Sequence, residues 1–557
     1  MVKPNVKTYV LWIYQKIKRR FPLVLALTLR SIIVSFSGIC FVFFTKELVG
    51  GALAANHHQV RHAGAFMISL SLFQVLGNLI LRYFSSNVQE GLERDMKRSV
   101  LSTILHSEYS AISCHHSSDL IQRMDSDGES ILQGVTFLTT GLSGVITSLI
   151  GSAAALLMLA PGFTLLSAAI LIAMSSSSLL FSDRLKELSI QTSEANGRVR
   201  GFLHESLSAL MVIQALDAAP EMERRSQQAL DRRWHVRRKW RNISILSRLG
   251  PESIDNLSYL MILLWSAWRM LSGHIAYEDV TLMLAMSTRI RSAATVLTSV
   301  IPRWVSITAS CDRIMELEAL PRQPDPDRER VRTLYGSLTG FTADHLTFAY
   351  DREPVLTNVS LTIPKGGMTV IIGQSGIGKS TLLKLLLGLY RPDSGSLSID
   401  LPDGPIAIDR STRSLFSYAP QGNFLLSGTL RENLIFTNPH ATEEEIRQAL
   451  HVSVMDEYVA SLPQGLETVL LENGAGLSEG QAQRLSLARA ILSGAPVLLL
   501  DEVTSALDEA TEATVLERIC ALPDRTCIAV THRPAALKLA TSIIEVTEEG
   551  MTLRKCE

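Results

Sequence analysis

Six runs of roughly twenty or more mostly apolar residues crowd the first 304 positions of the chain, at about 22–45, 63–85, 132–160, 162–182, 244–271 and 279–304. A hydrocarbon layer about 30 Å thick is crossed by about 20 helical residues, and inside it every backbone N–H and C=O must find a partner within its own segment. The runs therefore predict membrane-spanning helices. The last two also carry ionisable residues, Glu252, Asp255, Arg289 and Arg291. Composition agrees: 46% hydrophobic against 19% charged leans apolar for 557 residues.

The gaps between runs are unequal. Residues 86–131 and 183–243 are long, polar and helix-compatible, whereas the gaps near Ala160 and Ser272 are short. Basic residues gather at the N-terminus (Lys3, Lys7, Lys16, Lys18, Arg19, Arg20) and in the second long segment (Arg224, Arg225, Arg232, Arg233, Arg237, Arg238, Lys239, Arg241). Both long segments and the N-terminus fall on one side, which the positive-inside rule makes cytoplasmic. Six crossings return the C-terminal half to that side as well. The basic start resembles a signal peptide, but Phe21 to Thr45 is long enough to span and lacks a small-residue cleavage pattern, so it is expected to remain as a helix. Residues 1–20 admit two readings, an amphipathic elbow helix on the inner interface or a plain extension of the first span.

Apolar density drops near residue 320, where Leu320-Pro-Arg-Gln-Pro-Asp-Pro-Asp-Arg-Glu-Arg marks a linker, taken as 320–335 after a membrane domain of 21–319. From 336 to 557 short β-branched runs alternate with helical stretches, such as Met368–Gly373 then Lys379–Leu389, which predicts an α/β domain with a largely parallel sheet. Lys plus Arg (53) balance Asp plus Glu (54), so no whole-chain field draws nucleic acid, and none is expected as a partner. The six cysteines show neither CxxC pairs nor a disulfide framework.

Gly373-Gln374-Ser375-Gly376-Ile377-Gly378-Lys379-Ser380-Thr381 fits G-x-x-x-x-G-K-[ST] between a strand and a Leu-rich helix. Glycines there let backbone N–H groups turn around phosphate oxygens, and the helix start adds partial positive charge. Lys379 reaches the β and γ phosphates and the Ser380 hydroxyl faces Mg²⁺. Val497-Leu-Leu-Leu-Asp501-Glu502 is a second strand ending in two carboxylates, one suited to the metal and one to a water nucleophile.

Further motifs follow in fixed order. Leu477-Ser478-Glu479-Gly480-Gln481, continued by Ala-Gln-Arg-Leu-Ser-Leu-Ala-Arg489, resembles the signature and helix of the ATP-binding cassette family, just upstream of Asp501. Tyr350 is similar to its adenine-stacking aromatic, Gln421 in Ala-Pro-Gln-Gly-Asn to its Q-loop, Ser505-Ala-Leu-Asp508 to its D-loop, and His532 in Thr-His-Arg to its switch histidine. Singly, Tyr350 reads as a core aromatic, Gln421 as a turn residue and His532 as a packed or surface histidine; their joint order overrides that. The resemblance implies an all-α six-helix membrane domain followed by an α/β P-loop ATPase domain, with ATP and Mg²⁺ as cofactors. Lys379, Gln421, Glu502 and His532 would be catalytic. Nucleotide would meet Tyr350, Gly373, Ser375, Gly376, Gly378, Lys379, Ser380, Thr381, Gln421, Ser478, Gly480, Gln481 and Asp508, and the metal Ser380, Gln421 and Asp501.

Glu472 and Ser427-Gly-Thr-Leu-Arg-Glu-Asn433 look exporter-like, and His116 to Asp127, with Arg200–Glu205 and Met211–Ala215, resembles the family's intracellular loops. The expectation is an ATP-driven exporter of a drug, lipid or peptide, embedded in a lipid bilayer, a bacterial cytoplasmic membrane, and paired with a second half-transporter as homodimer or heterodimer. A soluble regulatory ATPase or an importer's separate ATPase subunit is disfavoured by the fused spans. Glu479 departs from the usual signature Gly: aimed at nucleotide it would weaken the shared site, aimed away it would do nothing, and intact Ser478 and Gly480 favour the second. Arg289 lies about ten residues, roughly 15 Å, into the sixth run, either facing the pathway and an anionic substrate group or paired with Asp255 or Glu252.

Overall fold

The computed structural model describes residues 5–556 apart from 116, 163, 166–168, 170–171, 173–180, 324–327, 351–352, 423, 472–473, 475 and 548–549. The chain divides into two compact units, Met1–Thr103 with Ser117–Ala319, and Ile104–His116 with Leu320–Glu557.

The first unit is helical. Phe21–Leu53, His57–His106 and Asp119–Met158 are long and apolar enough to cross a membrane, and Tyr259–Leu271 forms a shorter apolar stretch. The predicted run at 162–182 falls largely outside the described residues. That at 244–271 is the C-terminal part of the long helix Ala219–Leu271, and that at 279–304 breaks at Ser299 into Tyr277–Thr298 and Val300–Glu318. Pro302 has no N–H to offer the carbonyl of residue 298, which favours a break there. Ile39, Val42, Leu156, Ile262, Leu282, Met283 and Met286 pack into one core. Outward, Ile68 (65% exposed) and Leu79 (60%) present bare hydrocarbon, a surface suited to lipid.

Polar groups tie the helices at their ends. The N-terminal helix Val6–Ile17 stops before Phe21 and is held by Val300–Glu318: Tyr9 donates to Asp312 at 2.7 Å, Trp12 Nε1 to Glu318 at 2.9 Å, and Lys16 pairs with Glu318. Arg123 and Asp127, both from the loop motif read in the sequence, are buried; Arg123 pairs with Glu316 at 2.8 Å and Asp127 accepts from Arg313 Nε at 2.6 Å. Arg289 Nη2 donates to the Gly38 carbonyl at 2.7 Å, and a Cβ at Gly38 would stand 2.7 Å from that nitrogen. Only glycine leaves room for this approach.

The second unit carries two principal sheets and a two-stranded antiparallel ribbon of β7 (Gly428–Thr429) and β8 (Val469–Leu470). β1 (Gly340–Tyr350), β2 (Glu353–Pro364), β4 (Ser394–Asp400) and β5 (Ile406–Ala407) form an antiparallel sheet in the order β2-β1-β4-β5. β3 (Gly367–Gly373), β6 (Phe416–Ala419), β9 (Val497–Asp501), β10 (Thr526–Val530), β11 (Ser542–Thr547) and β12 (Gly550–Lys555) form the other, ordered β12-β11-β3-β10-β9-β6 and parallel except at β12. The central strands β3, β9 and β10 are covered on both faces and are mostly apolar. Alternate residues feed opposite cores: Val370, Leu498, Leu500 and Ala529 enter one, Ile371, Val497, Leu499 and Ile528 the other. The C-terminal ends of β3, β9 and β10 thereby stand side by side.

The stretch expected as a linker, 320–335, ends in the helix Arg328–Ser337. Tyr335 is buried and its hydroxyl meets Thr526 Oγ1 at 2.9 Å, so this end of the stretch belongs to the folded unit. Ile104–His116 joins the same unit: Glu108 N–H donates to the Pro321 carbonyl at 2.9 Å, and Arg391 Nη2 to Glu108 at 2.5 Å.

Candidate functional site: a phosphate loop at the end of a parallel sheet

β3 ends at Gly373 and the helix Lys379–Leu386 begins six residues later. Gly373, Gly376 and Gly378 take φ of 152°, 85° and 105°, which only glycine adopts without strain. A Cβ at Gly373 would meet the Val546 carbonyl at 2.6 Å. Lys379 is 6% exposed, and its ammonium donates to the carbonyls of Gly373 and Gln374, each at 2.7 Å. The loop thus folds its own cation back over its mouth, beside Ser375, which is exposed. Thr381 Oγ1 lies 3.4 Å from the Tyr350 hydroxyl, and Tyr350 is 36% exposed, a ring partly free to receive a flat ligand.

Asp501 ends β9 at 2% exposure. Its Oδ1 accepts from Ser380 Oγ at 2.8 Å and its Oδ2 from the Tyr418 phenol at 3.0 Å. Burial and then the Asp501 carboxylate push the Tyr418 phenol well above its usual range, so it stays protonated and donates. Glu502 follows with φ of +51°, a left-handed conformation that costs a non-glycine residue about 1–2 kcal/mol. Strain of this kind concentrates where function requires it. Its N–H donates to the Val530 carbonyl at 3.0 Å and its carboxylate accepts from Gln421 Nε2 at 2.6 Å. His532 is exposed just beyond β10.

The remaining predicted residues form a second cluster. Ser478 caps the helix Glu479–Leu492 in a reciprocal box with Gln481: Ser478 N–H donates to Gln481 Oε1 at 2.8 Å, and Gln481 N–H to Ser478 Oγ at 3.3 Å. Glu479 is exposed in the first turn, where an anion complements the helix dipole. A Cβ at Gly480 would come within 3.1 Å of the Ala506 carbonyl. Asp508 caps Glu509–Cys520 by accepting from Thr511 N–H at 3.0 Å, and that bond holds its carboxyl below the usual range. Among the described residues, Ser478, Gly480, Gln481 and Asp508 make no hydrogen bond to the phosphate loop. Glu472 lies outside the described residues.

Several residues with structural claims on the site were not marked by the sequence. Buried Gln483 binds the Ser505–Asp508 turn, donating to Ser505 Oγ and accepting from Ala506 N–H, both at 3.1 Å, and Arg533 Nη2 donates to the Ser505 carbonyl at 2.5 Å. Tyr418 gave only its place three residues before Gln421. Tyr390 and Arg391 lie just past the phosphate-loop helix, outside every motif.

A phosphate loop, paired strand-end acids and a separate capped signature helix, fused to a membrane unit, define an ATPase built to work with a membrane domain. Residues 356–505 match the ABC transporter family profile, and 24–293 match that of the ABC transporter transmembrane region. The chain belongs to the ABC transporter family, as an integral membrane protein whose ATPase domain is cytoplasmic and whose ATP hydrolysis is coupled to transport. It is 27% identical to the uncharacterized ABC transporter ATP-binding protein YfiC of Bacillus subtilis, over 88% of this chain and 81% of that one. It is 34% identical to the mycobactin import ATP-binding/permease protein IrtB of Mycolicibacterium thermoresistibile, over 51% of this chain and 50% of that one. Its fold matches a bacterial Atm1-family ABC exporter with ATP bound, at TM-score 0.81 and 20% identity, over 96% of this chain and 94% of that one.

Proposed function

We propose that the chain is one half of an exporter that pairs with a second half and uses MgATP to move a substrate out of the cytoplasm. The observation that carries this reading is the exporter-type fold along 96% of the chain. Pairing is supported by exposed apolar surface. The short helix Leu210–Ala215 presents Met211 at 80% exposure, and Leu216 beside it is 72% exposed. The ATPase unit separately exposes Phe424, Leu426 and Leu471. Apolar patches of this kind mark contact surfaces. The cluster around Ser478, unbonded to its own phosphate loop, is then available to the loop of the other half.

The Gly373–Thr381 loop and Tyr350 would hold ATP, Lys379 exchanging its carbonyl partners for phosphate oxygens. Magnesium fits the oxygens of buried Asp501 and half-buried Ser380, joined at 2.8 Å, with Gln421 close by on Glu502. Bound there, it would neutralise charge on the transferred phosphoryl group. Glu502 would orient and accept a proton from the attacking water, released from Gln421 as the amide turns to the nucleotide. His532 and, from the other half, Ser478 would contact the γ-phosphate.

A second reading is import, favoured by the likeness to mycobactin import proteins, which reaches 40% identity over 37% of this chain for IrtB of Mycobacterium tuberculosis. Inside-out vesicles holding the purified chain separate the two. Exporters accumulate labelled drug, lipid or peptide when ATP is added outside; accumulation only in right-side-out vesicles loaded with ATP would overturn export.

A further inference from the structure

The Asp501 carboxylate has two oxygens, and the phosphate-loop motif accounts for one of them. Oδ1 takes the Ser380 hydroxyl; Oδ2 takes the phenol of Tyr418 at 3.0 Å, on a residue that no motif of the chain assigns. Strand register makes the contact. β6 runs parallel to β9 with Tyr418 opposite Leu499 and Ala419 opposite Leu500. Side chains alternate along a strand, so Tyr418, Leu499 and Asp501 share one face of the sheet. Tyr418 is therefore the diagonal neighbour of Asp501, a separation that an aromatic side chain can reach. Tyr418 and Leu499 accordingly pack into the same core.

A phenol against a carboxylate can only donate, and the carboxylate is enclosed at 2% exposure. With a donor on each oxygen, its plane is fixed. Removing the phenol leaves Oδ2 to seek another donor by rotation, and rotation also turns Oδ1 away from Ser380. We propose that Tyr418 is a positioning residue for magnesium: it sets the Asp501 carboxylate so that Asp501 and Ser380 present their oxygens together. This rests on the reading of Asp501 and Ser380 as the magnesium site. In this role Tyr418 acts through Asp501, whose Oδ2 it holds.

The test is Tyr418→Phe in the full-length chain in nanodiscs, a change that keeps the ring and removes one oxygen. ATP affinity is measured by fluorescence titration in EDTA and across a magnesium series, with melting temperature followed in parallel. ATP affinity in EDTA stays within about twofold of the parent, while the magnesium concentration giving half the metal-dependent gain rises by about tenfold or more, the usual cost of losing an outer-shell partner of a metal ligand. Combined with Asp501→Asn, Tyr418→Phe adds nothing to the effect of Asp501→Asn alone. A magnesium curve that superimposes on the parent's overturns the proposal, as does an equal loss of ATP affinity in EDTA and in magnesium. If Asp501→Asn itself leaves the magnesium response intact, the magnesium reading fails first and the role of Tyr418 falls with it.

Discussion

The rings of Tyr350 and Tyr390 meet edge to face, their centroids 5.2 Å apart at 89°, and Tyr390 meets Tyr109 in the same manner at 5.6 Å and 89°. Tyr350 borders the phosphate loop, Tyr390 follows the loop's helix, and Tyr109 belongs to the Ile104–His116 segment of the same unit. An edge-on neighbour fixes the plane of Tyr350, the plane on which an adenine would stack. Such a pair contributes about 0.5–1.5 kcal/mol beyond its buried area. Tyr390→Ala is therefore expected to raise the KM for ATP by roughly two- to tenfold, with a smaller change in kcat; Tyr390→Phe should restore it. Steady-state ATPase assays decide, and a fall in kcat at unchanged KM would remove Tyr390 from this role.

Glu502 combines a needed carboxylate with a left-handed backbone, and the two can be separated. Glu502→Ala removes the carboxylate and keeps the strain, whereas Glu502→Gly removes both. Both variants should lose ATP turnover by at least about a hundredfold, on the scale of other catalytic groups. The Gly variant should nevertheless unfold later than the Ala variant, by about 1 kcal/mol. Thermal unfolding of the two side by side checks this, and equal melting would mean that the backbone at Glu502 is relaxed in solution.

What was legible in the sequence and what was not divides along a physical line. Gly373–Thr381, Asp501, Glu502 and the Ser478 cap are local: each is a strand end or helix start whose residue types follow from backbone conformation over a few positions. Tyr418 on Asp501, Gln483 on Ser505 and Arg313 on Asp127 depend on strand register and helix packing between residues 83, 22 and 186 positions apart, and no local pattern encodes them. The helix Arg328–Ser337 was hidden for a related reason. Its charged, proline-flanked sequence suits a linker, and burial of Tyr335 against Thr526 is what holds its end to the fold. The bond from Arg289 to the Gly38 carbonyl joins residues 251 positions apart, and neither composition nor spacing reveals it.

Glu479 is exposed as the first residue of its helix, while Ser478 and Gln481 close the cap behind it. A carboxylate there stabilises the helix by about 0.3–1 kcal/mol and leaves the hydroxyl of Ser478 in place. Glu479→Gly should change ATP turnover by less than about twofold and lower the melting temperature slightly, since it loses the dipole contact and adds glycine's chain entropy. A several-fold gain in turnover would show that the carboxylate opposes nucleotide.

Arg289 donates to the Gly38 carbonyl, a neutral acceptor that satisfies one N–H of the guanidinium. Among the described residues no carboxylate pairs with it; Glu252 is exposed, and the Asp255 side chain lies outside the described residues. A cation within a membrane domain is costly unless a counter-ion, water or an anionic ligand reaches it. If Arg289 serves the pathway, Arg289→Gln should abolish stimulation of ATPase activity by anionic candidates in proteoliposomes while sparing neutral ones, and Arg289→Lys should keep part of it. A tether to Gly38 alone predicts another pattern, in which Arg289→Gln, still able to donate to the carbonyl, leaves both substrate classes untouched and Arg289→Ala lowers thermal stability. The two charge-altering variants, assayed against both classes, assign the residue to transport or to helix packing.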